Sequence, residues 1–144
     1  MKTIRLVGAL FIALLLALNL TACSDDTETD YAAFVLGSWD AESMGILDNE
    51  PNGEYYFTYT FKADGTGYSV DKDSGAVREQ FRYAILSFDR LSGANIDFYL
   101  DLTVIDEHGG EQSKERLAGR KTGKNTWYLT EPTGIRKLYL MHRR

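Results

Sequence analysis

The sequence predicts an all-β protein: a single antiparallel up-and-down barrel of eight strands that follows a short helical turn. Apolar and polar residues alternate with a period of two from Ile96 to Ile105, which is typical of a half-buried antiparallel strand. Turn signals rich in glycine and aspartate recur about every eight to twelve residues, a spacing typical of sandwiches and barrels. Closing such a meander into a barrel removes the exposed edges of an open sheet.

The folded part of the chain begins with the helical turn. Asp30 is a suitable N-cap for a helix from Tyr31 to Leu36, and Gly37 is a suitable residue to end it. After Gly37 the helical period disappears and strand patterns replace it.

The strand signals differ in strength along the chain. The clearest are an aromatic face on alternate residues from Tyr55 to Phe61, a tight turn at Asp64-Gly65, and a strand from Phe81 to Ile85. Weaker patterns cover residues 113–119, 126–129 and 135–142. Together with the strand near Trp39 and the one after Gly65, they bring the expected number to about eight.

The first 22 residues predict a signal peptide that is removed after export. Lys2 and Arg5 supply a positive start, and the 13 residues from Leu6 to Leu18 carry no charge. A helix that spans a bilayer needs about 20 apolar residues, so this run is too short for a permanent anchor.

The end of this segment, Leu20-Thr21-Ala22-Cys23, resembles the lipobox of bacterial lipoproteins. In that family diacylglycerol is attached to the cysteine sulfur, and a peptidase cuts just before the cysteine. The resemblance implies that Cys23 carries lipid, incorporates palmitate and anchors the protein to a membrane. An ordinary secretory peptide with a coincidental cysteine is the alternative, but a lone unpaired cysteine is unusual in an exported domain.

Residues 23–30 are polar and acidic, and they predict a flexible tether before one domain over residues 31–144. Within the tether, Ser24-Asp25-Asp26 resembles the signal with which some Gram-negative bacteria send lipoproteins to the cell surface. It implies an outer-membrane location with surface exposure, and a merely solvated tether is the alternative. From Cys23 onward the chain has 21 acidic and 14 basic residues, a net charge of −7, which disfavours nucleic acid as a partner.

Two further motifs point to a fold family. Gly37-Ser38-Trp39 resembles the G-x-W signature of lipocalins, and residues 61–67, FKADGTG, are similar to a hairpin of the lipocalin-like domain family of Gram-negative bacterial lipoproteins. The resemblance covers most of residues 34–144. It implies an eight-stranded barrel plugged at one end by Trp39, with Arg136 or Arg143 packed across the indole in a cation–π contact.

Groups that carry catalysis or bind metals are scarce. His108 and His142 have no partner at metal-ligand spacing, and a lipidated Cys23 leaves no Cys–His nucleophile pair. Asp97 and Asp101 share a strand face about 13 Å apart, which is too far for a glycosidase pair, and we expect them to face solvent. The sequence therefore predicts a protein that is not an enzyme and uses no metal or cofactor.

The numerous aromatic side chains suit a binding role. Tyr59, Tyr68 and Tyr83 are the candidate ligand residues, because their hydroxyls are expected to point inward with the aromatic face. Packing alone is the alternative. A lined cavity would favour a small hydrophobic or glycan-type ligand, whereas a filled barrel would favour a protein–protein interaction or inhibitor module acting through the barrel mouth.

Overall fold

A computed structural model describes residues 29–87 and 95–144 of the chain. The predicted signal peptide and Cys23 lie outside these residues. Eight antiparallel strands pair in chain order, and the last strand pairs with the first to close a barrel. The predicted fold class is therefore confirmed.

Within the described residues, a short helix precedes the strands. The elements are α1 (Tyr31–Val35), β1 (Gly37–Met44), β2 (Pro51–Phe61), β3 (Thr66–Asp71), β4 (Val77–Ser87), β5 (Phe98–Ile105), β6 (Glu111–Lys121), β7 (Thr126–Thr130) and β8 (Lys137–Arg143).

The start of the domain folds as the local signals predict. The Asp30 side chain accepts a hydrogen bond from the Ala33 amide at 3.1 Å, which satisfies a free donor of the first helical turn. Gly37 has a φ of 108°, a conformation that favours glycine, and the chain leaves the helix there to begin β1.

The barrel has two different ends. The closed end, beside α1, is filled by large side chains that are at most 2% exposed: Trp39, Phe61, Phe81, Phe98 and Trp127. At the open end lie the loops that join β1 to β2, β3 to β4, β5 to β6 and β7 to β8. The largest side chains of the core therefore fill the closed end, and they do not extend to the open end.

The prediction that Tyr55 lies on the same aromatic face of β2 as Phe57 and Phe61 is wrong. Ala41 of β1 pairs with Phe57, but the next residue, Glu42, pairs with Tyr55, so β2 contains one extra residue. Such a β-bulge reverses the side-chain alternation beyond it. Tyr55 therefore joins Glu42 on the outer surface, while Phe57 remains inside.

The expected exposure of Asp97 is also wrong. Its side chain is 2% exposed and accepts a hydrogen bond from the Lys121 amide at 2.8 Å. Because β5 begins only at Phe98, Asp97 lies outside the strand and is not held to its alternation.

Candidate functional site

The closed end is sealed by Trp39 and Arg143. The indole is fully buried, and its Nε1 donates to the Val35 carbonyl at 2.7 Å. The guanidinium Cζ of Arg143 lies 4.1 Å from the centre of the indole ring, in cation–π contact. The same guanidinium donates to the carbonyls of Phe34 at 2.7 Å and Leu36 at 2.9 Å, so it also holds the end of α1.

Arg136, the other arginine considered for this contact, lies elsewhere. It precedes β8 in the loop at the open end, where its side chain is exposed and 3.4 Å from Glu131. The length of β8 separates it from Trp39, because Trp39 pairs with Arg143 at the far end of that strand.

The open end contains a cavity of about 520 Å³. Its apolar wall is formed by Phe57, Leu102, Val104, Leu117, Leu129 and Leu138. Its polar wall includes Ser43, Tyr59, Arg78, Glu79, Ser113, Glu115, Arg136, Lys137 and Tyr139. Cavities of this size and mixed lining are typical of sites for small molecules.

Tyr59 and Tyr139 both line this cavity, and their ring centres are 6.3 Å apart. Neither hydroxyl has a hydrogen-bond partner in the part of the chain that the structure describes. Burial raises the pKa of both side chains above the ordinary value of 10.0, and the negative charge of Glu79 adds to the effect. Both phenols therefore stay protonated at neutral pH and can donate to, or accept from, a ligand.

The other two candidate tyrosines do not line the cavity. Tyr83 packs against the rings of the closed end, and its hydroxyl donates to the Lys62 carbonyl at 2.6 Å. Tyr68 alternates with the buried residues Gly67 and Ser69, so its side chain lies on the outer face, and the expected inward orientation is wrong. Of the three tyrosines proposed from the sequence, Tyr59 alone lines the cavity.

Four charged side chains of the cavity wall escaped the sequence analysis: Arg78, Glu79, Glu115 and Lys137. Glu115 pairs with the inward-facing Leu102, and Glu79 pairs with the buried Ser69, so both occupy inward-facing strand positions. Arg78 is the extra residue of a bulge in β4, and its guanidinium Cζ lies 4.1 Å from the centre of the Phe57 ring. The exposed halves of β4 and β6 carry polar residues on both faces, so the sequence does not show which of these residues point inward. Only the register of the two strands with their neighbours shows it.

A second polar cluster lies on the outer surface where β8 closes on β1. The Glu42 carboxylate, which is almost buried, lies 2.6 Å from His142 Nε2 and accepts from the Gly53 amide at 2.8 Å and the Tyr55 hydroxyl at 3.3 Å. Burial raises the pKa of Glu42, but the hydrogen bonds from these three partners lower it more, to below the ordinary 4.5.

This cluster predicts an acid-sensitive contribution to stability. A carboxylate whose pKa is lowered by folding stabilises the fold above about pH 4.5 and loses that effect as the pH falls through its folded pKa. We expect Glu42→Gln to lower the free energy of unfolding by about 1.5–3 kcal/mol at pH 7, with the difference shrinking below pH 4.5. Urea unfolding of the variant and the wild type at several pH values measures this difference in the free energy of unfolding.

Glu107→Gln is the matched control, because the Glu107 side chain is 87% exposed. We expect it to leave stability within about 0.5 kcal/mol of the wild type at every pH. A Glu42→Gln difference that is the same at pH 3 and pH 7 would contradict the assignment.

Within residues 29–87 and 95–144, no three His, Cys, Asp or Glu side chains are grouped so as to hold a metal ion. No helix in that part of the chain is long and apolar enough to cross a membrane. Comparison of the chain with protein-family models, curated proteins and solved structures finds no match.

Proposed function

We propose that this chain is a lipoprotein, anchored to the bacterial outer membrane through Cys23, whose barrel binds a small hydrophobic or glycan-type ligand at its open end. The cavity of about 520 Å³ is the observation that carries the ligand proposal. Large side chains fill the closed end and provide a floor, whereas the cavity offers an apolar wall beside two tyrosines whose hydroxyls have no hydrogen-bond partner within residues 29–87 and 95–144. A preformed cavity of this kind reduces the entropy cost of ligand binding.

Binding of a neutral ligand tests the proposal. The lipidated full chain, held in phosphatidylcholine vesicles, is titrated with 3-phenylpropanol by calorimetry, and protein-free vesicles supply the blank. We expect saturable binding of one molecule per chain. Ser43→Phe places a ring in the cavity and should weaken binding at least about tenfold, a loss of about 1.4 kcal/mol.

Thr103→Phe is the matched control. Thr103 lies between the inward-facing Leu102 and Val104, so the new ring points outward and should not change binding. Equal binding by the two variants, or no binding by the wild type, would refute the ligand proposal.

The anchor is tested separately. A diacylated cysteine holds a protein on a membrane because each buried methylene contributes about 0.8 kcal/mol. We expect Cys23→Ala to abolish incorporation of radioactive palmitate and to leave an uncleaved precursor of higher mass. Unchanged labelling of the variant would refute the lipoprotein proposal and would not affect the ligand-binding proposal.

Exposed aliphatic side chains favour a protein interaction as a second candidate function. Ile46 is 86% exposed and Leu47 is 100% exposed in the β1–β2 loop, and Ile135 is 79% exposed in the β7–β8 loop. The side chain of Asn49 joins the two loops through hydrogen bonds with the Ile135 carbonyl and the Lys137 amide. These exposed aliphatic side chains therefore lie on two loops that are hydrogen-bonded to each other at the barrel mouth.

The position of the anchor indicates the kind of partner. The chain reaches the barrel at the closed end, and residues 23–28 span at most about 20 Å. A lipid on Cys23 therefore keeps the closed end near the membrane and turns the open end toward soluble proteins. If the protein interaction is the function, Leu47→Ser and Ile135→Ser should weaken binding to a purified partner. They should not change the affinity for 3-phenylpropanol.

A further inference from the structure

A second concave surface, which we call the hairpin groove, lies outside the barrel beside the β1–β2 loop. It has a volume of about 750 Å³ and is lined by the end of β1, that loop and the start of β2. Its apolar residues include Met44, Ile46, Leu47 and Tyr56, and both Ile46 and Leu47 are exposed. Exposed aliphatic side chains gathered at one concave surface are typical of a contact site for another protein.

The loop that presents these side chains is held by its own hydrogen bonds. The Gly45 amide donates to the Glu50 carbonyl at 2.8 Å, and the Asn49 amide donates to the Gly45 carbonyl at 3.1 Å. Asn49 has a φ of 58°, in the left-handed region that asparagine adopts more readily than most residues. The backbone therefore supports the conformation that exposes Ile46 and Leu47, and a surface that is already ordered loses less entropy when it binds.

The groove is acidic. Of the described residues that line it, Asp48 and Glu54 carry a negative charge and none is Lys or Arg. Glu50, in the same loop, is a third acid, and the sequence from Gly45 to Tyr56 contains no Lys or Arg. This hairpin therefore carries three negative charges of its own.

Neighbouring bases remove only part of this charge. The Lys137 ammonium lies 3.4 Å from the Asn49 carbonyl oxygen and counts as one full positive charge. Arg136 and Lys72 are each matched by an acid outside the groove, in ion pairs of 3.4 Å and 3.9 Å. Three acids and one unmatched base leave two negative charges beside the groove.

The position of the groove favours a protein over a membrane as its occupant. The hairpin groove is at the open end, whereas the chain reaches the barrel at the closed end. A lipid on Cys23 therefore holds the groove away from the membrane. Its negative charge also disfavours contact with anionic lipids.

We propose that the hairpin groove docks a segment of a partner protein in which a lysine or arginine lies between apolar side chains. The apolar side chains of the segment pack on Ile46 and Leu47, and its cation lies beside Asp48 and Glu54. Apolar contact supplies the affinity, and opposite charges speed association and select the partner. An acidic segment of the same shape meets like charges. This inference rests on the second candidate function, protein binding at the barrel mouth, and adds the site and the charge of the partner.

Three peptides test the inference. The lipidated full chain is held in phosphatidylcholine vesicles that are captured for surface plasmon resonance, and protein-free vesicles supply the blank. The first peptide is an acetylated and amidated heptapeptide in which leucine alternates with lysine. In the second peptide glutamate replaces lysine, and in the third serine replaces leucine. We expect the leucine–lysine peptide to bind at least about tenfold more tightly than either of the others.

An isosteric double variant tests the role of charge. Asp48→Asn combined with Glu54→Gln removes two charges and keeps acceptor oxygens for the donors that these side chains now bind. The remaining charges of Glu50 and Lys137 cancel. We therefore expect the double variant to bind the leucine–lysine and leucine–glutamate peptides equally.

Matched controls locate the binding in the groove. Asp106→Asn combined with Glu107→Gln removes two charges from the β5–β6 loop, at the same end of the barrel but outside the groove, and should keep the preference. Leu47→Ser should weaken binding of the leucine–lysine peptide about fivefold or more. Val77→Ser, at an exposed side chain outside the groove, should not weaken it.

The outcomes separate this inference from the proposed function. Absence of peptide binding, equal binding of the leucine–lysine and leucine–glutamate peptides by the wild type, or a preference that survives in Asp48→Asn combined with Glu54→Gln would overturn the inference. Cross-linking between copies of the chain on the vesicles, if Leu47→Ser abolished it, would assign the groove to a second copy and also overturn the inference. Protein binding at the barrel mouth would still be judged by a purified partner, and the ligand proposal by the affinity for 3-phenylpropanol.

Discussion

Replacing Trp39 by alanine is expected to lower the free energy of unfolding by about 3–5 kcal/mol, the usual cost of removing a fully buried aromatic side chain. Trp39 is 0% exposed and meets Trp127 edge-on, with ring centres 5.9 Å apart. Its removal would also leave the buried Val35 carbonyl without its donor and Arg143 without its ring. Three kinds of contact therefore disappear in one substitution.

Urea unfolding followed by circular dichroism at 25 °C measures the Trp39 effect. Trp39→Phe keeps most of the apolar area but removes the indole N–H, so we expect a smaller loss, of about 1–3 kcal/mol. Leu47→Ala, at a side chain that is 100% exposed, is the control and should change stability by less than about 0.5 kcal/mol. A Trp39→Ala effect below about 1 kcal/mol would show that the indole does not close the barrel.

The fold was predictable because each of its strands has a local signal. The period of two in β5, the turn at Asp64-Gly65 and the cap at Asp30 depend only on neighbouring residues, and all three are present in the structure. An antiparallel meander then needs little long-range information, since each strand pairs with the next. Local patterns are sufficient for that topology.

The details that failed depend on register. Sequence spacing could not distinguish Arg136 from Arg143, because the choice rests on which residue of β8 lies opposite Trp39. The bulge that turns Tyr55 outward adds one residue to β2, and nothing in the alternation of aromatic residues marks it.

The cavity itself was only partly predictable. Tyr59 is two residues before Phe61 on β2, so it faces inward whenever Phe61 is buried, and the structure places it in the cavity wall. Glu79 and Glu115 stand in stretches that are polar on both faces, so their inward positions become apparent only when β4 and β6 are aligned with their neighbours. A site built from inward-facing polar residues therefore resembles a solvent-exposed strand in the sequence.

The closed end also depends on glycines that make room for rings. A Cβ atom added at Gly67 would lie 2.4 Å from the Thr60 carbonyl oxygen and 2.5 Å from Phe81 Cε2. The carbonyl belongs to the neighbouring strand and cannot move without breaking the β2–β3 pairing, and Phe81 is 1% exposed and has no space to shift. We therefore expect Gly67→Ala to destabilise the protein by about 3 kcal/mol, at the upper end of the usual cost of overpacking.

Calorimetric unfolding checks this expectation, and a melting temperature at least about 6 °C below the wild type is the expected result. Gly45→Ala is the matched control, since its Cβ would meet only the end of the exposed Asp48 side chain, which can rotate away and give up its exposed hydrogen bond from the Glu50 amide. An added Cβ also restricts the unfolded chain, which offsets that loss, so Gly45→Ala should change stability by less than about 1 kcal/mol. Equal melting temperatures for the two variants would mean that Phe81 does not pack over Gly67, and the filled floor on which the cavity rests would have to be abandoned.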